Sequence, residues 1–408
     1  MIQIRNIKQP TYSTSQREIK SGNTMMLFNM IRDNMPISRV NLSRNCPLAV
    51  STVSSLVENL LEKNWIVEKD TVSTSGKGRH AIMLEVNAQM GYVVTVELLS
   101  RRYICTVYDI CLHKISGIDI KNTIYDSNHI ITSILTLMKS SKLDIEKLLG
   151  IHLIFPGIID KVSGDLISST VFPDIEILNR HLAIQLKSHF PKVDVQISNN
   201  GTIIAFKEFA LGKGLSALPL LSVNIDEAIF GGIVTSNENS NMTFCFPVEI
   251  GHSIINYRGE RCLCGNRGCM ETLCTTPVLF RKLNESAHMN LTYSELFGSE
   301  INVDTMHLVA KELESGNREV EKVIQSYTET LCSALLSTIN LLGIQSVHIG
   351  GDLAILGKPF LEMLKTTFAA SFSPLIGTGN IHFDLFNSDY EDVRQAATMM
   401  SLDNIFRE

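Results

Sequence analysis

The chain of 408 residues has no run of about 18 consecutive apolar residues, the length that a membrane-spanning helix requires. The stretch after Met1 is polar and lacks the short apolar core of a secretory signal. We therefore expect neither secretion nor membrane insertion, and predict a cytoplasmic protein. A chain of 408 residues is too long for one ordinary core, which predicts two or three domains.

The chain also lacks a strong excess of either charge, since its formal net charge is only −6. The charged residues are nevertheless unevenly distributed along the sequence. Residues 1–80 contain eleven Lys or Arg against six Asp or Glu, a net charge of +5, so the rest of the chain carries −11. A basic segment on an acidic chain favours contact with phosphate groups. A basic face that is merely solvated would give the same count, so the pattern of residues has to decide.

Disulfides are not expected in a cytoplasmic chain, so clustered cysteines need another explanation. Cys262, Cys264 and Cys269 form a C-x-C-x4-C cluster, and His252 lies ten residues upstream. Three thiolates and one imidazole complete a tetrahedral zinc shell with no position left for water. The spacing predicts a structural Zn2+ bound by these four residues, with ordinary buried thiols as the alternative. The other cysteines are interpreted as small core residues: Cys46, Cys105, Cys111, Cys245, Cys274 and Cys332.

Residues 1–86 show the pattern of a winged helix-turn-helix domain. Apolar residues recur at helical spacing over Asn23–Asp33, and Ser38 is placed to cap a short second helix. A third helix is predicted over roughly Val50–Lys63, with one apolar stripe and small polar residues elsewhere. This spacing favours DNA binding, and a helical protein-interaction module is the alternative.

Two strands, Trp65–Glu68 and Ile82–Val86, are predicted to form the wing, and Lys77 and Arg79 lie between glycines in its loop. Such a loop can approach DNA closely, and a narrow minor groove attracts inserted cations. Short hydroxyls of the third helix face the major groove but carry little sequence code, so base-specific affinity from this helix alone should be weak. The predicted DNA contacts are Arg39, Ser51, Thr52, Ser54, Ser55, Lys77 and Arg79.

Strands and helices alternate beyond the head, which predicts two α/β lobes over residues 87–198 and 199–408, with a C-terminal helix that could return to the first lobe. The predicted strands are Tyr92–Leu98, Ile104–Tyr108, Ile151–Phe155, Val193–Ile197, Leu220–Ile225, Gly232–Thr235 and Val347–Ile349. The predicted helices are Ile130–Lys139, Leu178–Phe190, Val320–Leu341 and Pro359–Ala370.

The chain resembles the ROK family of repressors and sugar kinases over nearly its whole length. Members carry E-x-G-H and then C-x-C-G-x-x-G-C-x-E, which here are residues 249–252 and 262–271. Repressors of the family also carry S-R-x-x-L-S, T-V-S-x-x-V-x-x-L and G-x-G-R-P, which are similar to residues 38–43, 52–60 and 76–80, with His80 in place of the proline. The resemblance implies an actin-like, duplicated ribonuclease-H-like body.

Sugar kinases of this family need two phosphate loops and a catalytic carboxylate. Their D-x-G-G-T loop corresponds here to E-L-L-S-R at residues 97–101, and leucines do not let phosphate approach the backbone as glycines do. Their G-T-G-x-G-G-G loop corresponds to residues 226–232, where two carboxylates would repel a polyphosphate. Asn200 stands at the position of the catalytic aspartate, and an amide cannot accept the proton of a sugar hydroxyl. These three losses predict that the chain is not an enzyme.

The resemblance implies that the sugar side of the pocket is retained, because paired carboxylates suit the vicinal hydroxyls of a sugar. Glu249 and Glu271 also flank the zinc loop, so orienting that loop is an alternative role for them. The residues implied to contact the effector are Asn199, Asn200, Glu249, His252 and Glu271.

These features together predict a DNA-binding transcriptional regulator, a repressor of sugar-metabolism genes, that binds a double-stranded operator and responds to a sugar or sugar phosphate. A homodimer or higher homo-oligomer is expected, because one small head buries too little DNA to be specific. A sugar kinase with an accessory DNA-binding domain is one alternative. A regulator controlled by a protein partner, such as a sugar-transport component, is the other.

Overall fold

The computed structural model of the chain describes residues 16–70, 82–99, 102–121, 127–160, 166–169, 182–210, 218–237, 242–294, 300–371, 381–386 and 390–406. Across these ranges, no helix combines the length and the apolar composition needed to cross a membrane. Lys77 and Arg79, which the sequence places in the loop of the predicted wing, lie outside them.

The described residues up to Val86 form three helices and three short strands: α1 (Gln16–Asn34), β1 (Ile37–Ser38), α2 (Arg39–Asn45), α3 (Val50–Glu62), β2 (Ile66–Asp70) and β3 (Ile82–Val86). The strands form an antiparallel sheet in the order β1-β3-β2. The Ser38 hydroxyl accepts a hydrogen bond from the Asn41 N–H at 3.2 Å and so caps α2, as predicted. This order of elements is compatible with a winged helix-turn-helix. The first helix begins at Gln16, seven residues before the start at Asn23 that the sequence pattern indicated.

The next elements are β4 (Tyr92–Leu99), β5 (Arg102–Asp109), β6 (Lys114–Lys121), α4 (Ser127–Ser140), β7 (Leu148–Phe155), β8 (Ile158–Ile159), β9 (Leu166–Ser168), α5 (Leu182–His189), β10 (Asp194–Asn199) and α6 (Asn200–Ala210). Five of the strands form a sheet in the order β10-β7-β4-β5-β6. The strands β4, β5 and β6 are antiparallel neighbours, whereas β7 and β10 run parallel to β4.

The remaining elements are β11 (Leu220–Ile225), β12 (Ile229–Asn237), β13 (Met242–Val248), α7 (Glu271–Cys274), α8 (Thr276–Ala287), α9 (Glu300–Glu314), α10 (Arg318–Leu342), β14 (Ser346–Gly350), α11 (Gly357–Ser371), β15 (His382–Leu385) and α12 (Tyr390–Ile405). The second sheet has the order β13-β12-β11-β14-β15. Its strand directions repeat those of the first sheet, so the body is a duplicated α/β unit. This is the topology that the resemblance implied.

The predicted strands and helices of the body are present, with ends that differ by a few residues. The helix predicted over Leu178–Phe190 is confirmed over Leu182–His189, and its first residues lie outside the described ranges. The sequence pattern missed β6, β8, β9, β13, β15, α6, α7, α8 and α9, whereas the expected C-terminal helix is present as α12. Of the cysteines assigned to the core, Cys46, Cys105, Cys274 and Cys332 are buried, whereas Cys111 and Cys245 are only partly so.

The C-terminal helix α12 packs against β4 and β7 of the first sheet and against α6. Its end reaches the N-terminal helices, where the Phe406 ring lies 4.7 Å from that of Phe28. The Asn29 side chain donates to the Phe406 carbonyl at 3.0 Å, and Arg32 pairs with Asp403 at 2.7 Å. The head and the first sheet therefore share one apolar core that α12 completes.

Candidate functional site

Four potential metal ligands converge in the loop between β13 and α7. His252 ends a short 3-10 turn after β13, and the loop brings Cys262, Cys264 and Cys269 to it, so that one donor atom of each lies within 4.8 Å of the others. The Sγ atoms of Cys264 and Cys269 are 3.6 Å apart, and Cys262 Sγ lies 3.7 Å from His252 Nδ1. Three sulfurs and one imidazole nitrogen at these separations suit a closed tetrahedral zinc site.

Glycine geometry and short backbone bonds fix the shape of this loop. Gly268 has φ +68°, and a Cβ there would lie 1.5 Å from the Asn256 carbonyl oxygen, so no other residue fits. Its N–H donates to the Glu260 carbonyl at 2.8 Å, and isolated bridges join Ile254 to Cys269 and Arg261 to Arg267. The backbone thus holds the cysteines in place before any ion binds.

The cysteines of the cluster have unequal environments. Cys262 and Cys269 are buried, whereas Cys264 is exposed. Burial, together with the neighbouring thiols, raises the pKa of Cys269 to about 12. A metal ion that binds here as a thiolate complex has to displace protons, so its affinity decreases as the pH is lowered.

Glu249 and Glu271 flank the cluster in different ways. Glu271 Oε1 accepts a hydrogen bond from the Ile229 N–H at 3.0 Å, while Oε2 lies 3.5 Å from His252 Nδ1. Glu271 therefore ties the start of β12 to the cysteine loop. Burial raises the pKa of the Glu249 carboxyl; His252 opposes this shift and Glu271 adds to it.

Asn199 and Asn200 lie at the junction of β10 and α6. The Asn199 amide donates to the Gly157 carbonyl at 2.5 Å, and its oxygen accepts from the Gly201 N–H at 2.6 Å. Asn200 is only 5% exposed, and its Oδ1 has no hydrogen-bond partner among the described residues. A buried carbonyl oxygen without a partner is costly, so this atom is suited to accept from a ligand hydroxyl.

The asparagine pair and the cysteine loop meet at β12. A Cβ on Gly201 would lie 2.0 Å from the Gly231 carbonyl oxygen, so α6 and β12 touch at their backbones. Gly231 in turn pairs with Val248, the residue before Glu249. The structure thus brings the predicted effector residues to the same end of β12.

The region that corresponds to the first phosphate loop is filled by side chains. Glu97 is 1% exposed, and its Oε2 accepts from Arg394 Nη1 of α12 at 2.6 Å. Leu98 and Leu99 are buried as well, while Ser100 and Arg101 lie outside the described residues. Burial raises the pKa of Glu97, and the Arg394 charge opposes this shift.

Carboxylates lie in the region predicted to correspond to the second phosphate loop. The Asp226 side chain is buried and accepts from the Asn224 amide and from the Asp352 N–H, at 2.5 and 2.6 Å. Burial raises the pKa of Asp226 to about 6, and burial together with the Asp226 charge raises that of Asp352 to about 7. The turn Gly350–Asp352 leads from β14 into a 3-10 helix and adds Asp352 to this acidic group.

The predicted DNA contacts divide into three groups. Ser51, Thr52 and Ser55 are exposed on the first turns of α3, and Ser54 is half-buried. Arg39 pairs with Glu68 at 2.7 Å, so its charge is already engaged. Lys77 and Arg79 are outside the described residues.

Three exposed head residues were missed by sequence reasoning. Val40 and Val50 are 59% and 66% exposed at the starts of α2 and α3, and Arg44 is exposed in the last turn of α2. Apolar side chains can contact thymine methyl groups, and an exposed arginine can contact phosphate. The only sequence signal for these contacts was a valine in the first turn of each of two predicted helices.

The fold and the site define a class of protein: a winged-helix-like head on a duplicated α/β body that carries a cluster of cysteines and one histidine. The chain belongs to the ROK family, whose model matches residues 105–380. A relative named "Xylose repressor", from Caldicellulosiruptor bescii, is 24% identical over 85% of this chain and 87% of its own length.

Solved structures show the same fold. A ROK family transcriptional regulator, described as a homolog of the E. coli MLC protein, superimposes with a TM-score of 0.73 at 19% identity, covering 95% of this chain and 98% of that one. A ROK family glucokinase from Streptomyces griseus, in complex with glucose and AMPPNP, gives a TM-score of 0.55 at 14% identity over 76% of this chain and 99% of that chain. The regulator matches the head and the body, whereas the kinase covers about three quarters of the chain.

Proposed function

We propose that this chain is a DNA-binding transcriptional regulator, a repressor of sugar-metabolism genes whose effector is a sugar or a sugar phosphate. The observation that carries the proposal is the continuous core joining the N-terminal head to a kinase-like body through α12. A shared core lets the state of the body bias the head, which is the physical basis of an effector response. The relative named as a xylose repressor, which aligns over 85% of the chain, supports this reading.

The proposal includes the loss of phosphoryl transfer. Phosphate transfer needs open backbone loops and cations around the transferred group, together with a base near the attacking hydroxyl. Here the buried Glu97–Arg394 pair fills the first loop, and Asp226 and Asp352 place acidic groups at the second. Asn200 offers an amide in place of the base. These residues support a body that binds a sugar without reacting with it.

Zinc is proposed for the cluster of His252, Cys262, Cys264 and Cys269. A closed shell of four protein ligands supplies structural stability and no catalysis. Cysteine ligands of this type contribute their binding free energy to folding. The ion would thereby fix the loop whose two ends carry Glu249 and Glu271.

The effector site is proposed to include Asn199, Asn200, Glu249, His252 and Glu271. The unpartnered Oδ1 of Asn200 supports a hydrogen bond to a sugar hydroxyl. Glu249 has a raised pKa, and the carboxyl can pair with hydroxyl groups in either protonation state. Glu271 already accepts a hydrogen bond from Ile229 and lies beside His252. It would therefore hold the cysteine loop in place as well as contact the effector.

A route from effector to head follows from α6 and α12. Helix α6 begins at Asn200, and its buried Lys207 pairs with Asp392 near the start of α12 at 3.0 Å. The other end of α12 holds α1 through Asp403 and Phe406. A sugar that prefers one position of α6 would shift α12 and, through it, the head.

The head, over residues 1–86, is proposed to bind the operator, and lobes over residues 87–198 and 199–408 to form the body, with α12 returning to the first. The DNA contacts are Arg39, Ser51, Thr52, Ser54, Ser55, Lys77 and Arg79, joined by Val40, Val50 and Arg44. A homodimer would present two heads to half-sites about 34 Å apart, which gives the specificity that one head lacks.

Thermal unfolding of the purified chain with a panel of hexoses, pentoses, amino sugars and their phosphates tests the effector proposal. At a ligand concentration of about 100 times Kd, a bound sugar stabilises the native state by about 2.7 kcal/mol. We expect Asn200→Ala to abolish the stabilisation and Asn41→Ala, an exposed residue of α2, to keep it. If no sugar stabilises a chain that still binds DNA, a protein partner such as a sugar-transport component replaces the free sugar.

A further inference from the structure

The side of β14 and β15 that faces α6 carries a cluster of polar residues. The two strands are parallel, with Ser346 opposite His382 and His348 opposite Asp384, so these four side chains share one face. His348 is buried, Asp384 is partly buried and His382 is exposed, so the cluster extends from the core to the surface. The other face of the strands belongs to the apolar core: Val347, Ile349 and Phe383.

We propose that His348, His382 and Asp384 form a second metal site, separate from the cysteine cluster, for a divalent transition metal of the zinc class. One donor atom from each of the three residues lies within 4.8 Å of the others. Imidazole nitrogens and a carboxylate oxygen bind Zn2+ at about 2.0–2.2 Å, so the three donor atoms have to move closer together, and the exposed His382 side chain is free to do so. Three protein ligands leave a fourth position for water or another ligand.

Glu208 of α6 prepares His348 for this role. Its Oε2 lies 3.0 Å from His348 Nδ1, and both residues are buried. An imidazole that donates its Nδ1 proton to a carboxylate presents Nε2 with a free lone pair. This carboxylate–histidine arrangement is the one that orients metal-bound histidines in proteins. Asp384 uses Oδ1 to accept from the Leu385 N–H at 2.9 Å, and its other oxygen can bind the ion.

A second observation at the same place points to a ligand. Ser222 of β11 is the register partner of His348, so its side chain lies on the same face beside the imidazole. Ser222 is fully buried, and its hydroxyl has no hydrogen-bond partner within the described part of the chain. A buried hydroxyl without a partner is costly. A water molecule on the fourth position of the metal would satisfy this hydroxyl.

A metal ion at this site would stabilise the β15 edge of the second sheet. Strand β15 has only four residues and lies at the end of the second sheet, paired on one side with β14. A metal bound by both strands, with Glu208 behind it, would join β15 and β14 to α6. The ion would therefore stabilise the β15 edge of the second sheet and link it, through Glu208, to α6, which packs against β11, β12 and β13.

Metal content of the full-length protein tests the proposal. The protein is stripped with a chelator, dialysed against micromolar Zn2+, and its zinc per chain is measured by mass spectrometry. We expect His382→Asn to lower the zinc content by one ion per chain, while His307→Asn, an exposed histidine on α9, leaves it unchanged. Because His382 is exposed, the substitution leaves the core intact. Glu208→Gln should keep the site but weaken it by about 10–100-fold.

Cobalt substitution separates this site from the cysteine cluster. Thiolate ligands give Co2+ an intense near-ultraviolet charge-transfer band, which nitrogen and oxygen ligands do not. His382→Asn should keep that band and lose one cobalt per chain, whereas Cys264→Ser should lose the band and keep the histidine-bound ion. Equal metal content in the wild-type protein and His382→Asn would overturn the proposal, whatever the cysteine cluster binds.

Discussion

Glu97 and Arg394, 297 residues apart in the chain, form a buried ion pair that joins β4 to α12 at 2.6 Å. Their side chains are 1% and 8% exposed. A lone carboxylate is expensive to bury, so Glu97 requires Arg394 beside it, and the pair fixes the position of α12 on the first sheet. Tyr108 and Glu391 extend the contact, since the tyrosine hydroxyl donates to Glu391 at 2.8 Å.

Removing the arginine tests how strongly this pair holds α12. Arg394→Met leaves the Glu97 charge buried without a partner, and we expect the free energy of unfolding to fall by about 3–5 kcal/mol. Adding Glu97→Leu should recover most of that loss. Lys365→Met, which breaks the exposed pair with Glu362, should cost at most about 1 kcal/mol. Urea unfolding of the four proteins checks the account, and a loss of under about 1 kcal/mol for Arg394→Met would contradict it.

The acidic group of Asp226 and Asp352 makes stability depend on pH. The pKa values of the folded protein, about 6 and about 7, are raised above the ordinary 3.8, so the folded state holds these protons more tightly than the unfolded chain. Their contribution is complete below about pH 4 and is lost as the pH rises to about 7. We expect Asp352→Asn to be more stable than the wild-type protein at about pH 8 and to show a flatter profile.

Urea unfolding at about pH 5 and about pH 8 measures this change. Asp304→Asn, at an exposed position of α9, is the matched control and should follow the wild-type protein. If Asp352→Asn kept the full pH dependence, the acidic group would not be its source.

The end of α12 is predicted to stabilise the head. Phe406 is 4% exposed and packs against Phe28 and Trp65. Phe406→Ala should cost about 3–5 kcal/mol, because it removes a buried aromatic ring. Hydrogen exchange in α1 should become faster, whereas Leu341→Ala, at a residue that is 81% exposed, should leave exchange unchanged. Unaltered exchange in α1 would mean that α12 does not support the head.

The cysteine cluster is expected to bind zinc as a structural ion. Cys264→Ser removes one of four ligands, and we expect loss of the cysteine-bound zinc and a lower unfolding temperature. Cys111→Ser, a partly buried cysteine outside the cluster, should keep the metal. The thiolate band of the cobalt form measures occupancy of this site alone. A Cys264→Ser protein with full thiolate absorption would exclude the cluster as the ligand set.

Local patterns predicted the elements whose stability is local. Helix α3 was found within one residue of its predicted ends because one face buries Val53, Leu56, Val57 and Leu60. For α12 the sequence predicted only a C-terminal helix that could return to the first lobe, without its bounds or contacts, because this helix buries polar residues whose partners are far away in the sequence. Ser401 bonds to His152 and Arg394 to Glu97, and no periodic pattern shows such pairs. Helix α6 likewise buries Lys207 and Glu208.

The candidate sites divide in the same way. The cysteine cluster could be predicted from the sequence because its four ligands lie within 18 consecutive residues, from His252 to Cys269. The second cluster was not, because only the parallel pairing of β14 with β15 brings His348 to His382 and Asp384. In the sequence Glu97 led to the prediction that the first phosphate loop is absent, but its partner Arg394 could be identified only from the structure.

The central claim is that a sugar changes operator binding without being phosphorylated. The most direct measurement follows binding of the purified chain to its own genomic DNA, with and without each sugar, while nucleotide consumption is recorded in the same preparation. We expect salt-dependent DNA binding that one sugar or sugar phosphate shifts by about 5–150-fold, with no turnover of ATP. Steady phosphate transfer to a sugar by a chain that binds no DNA would contradict the account.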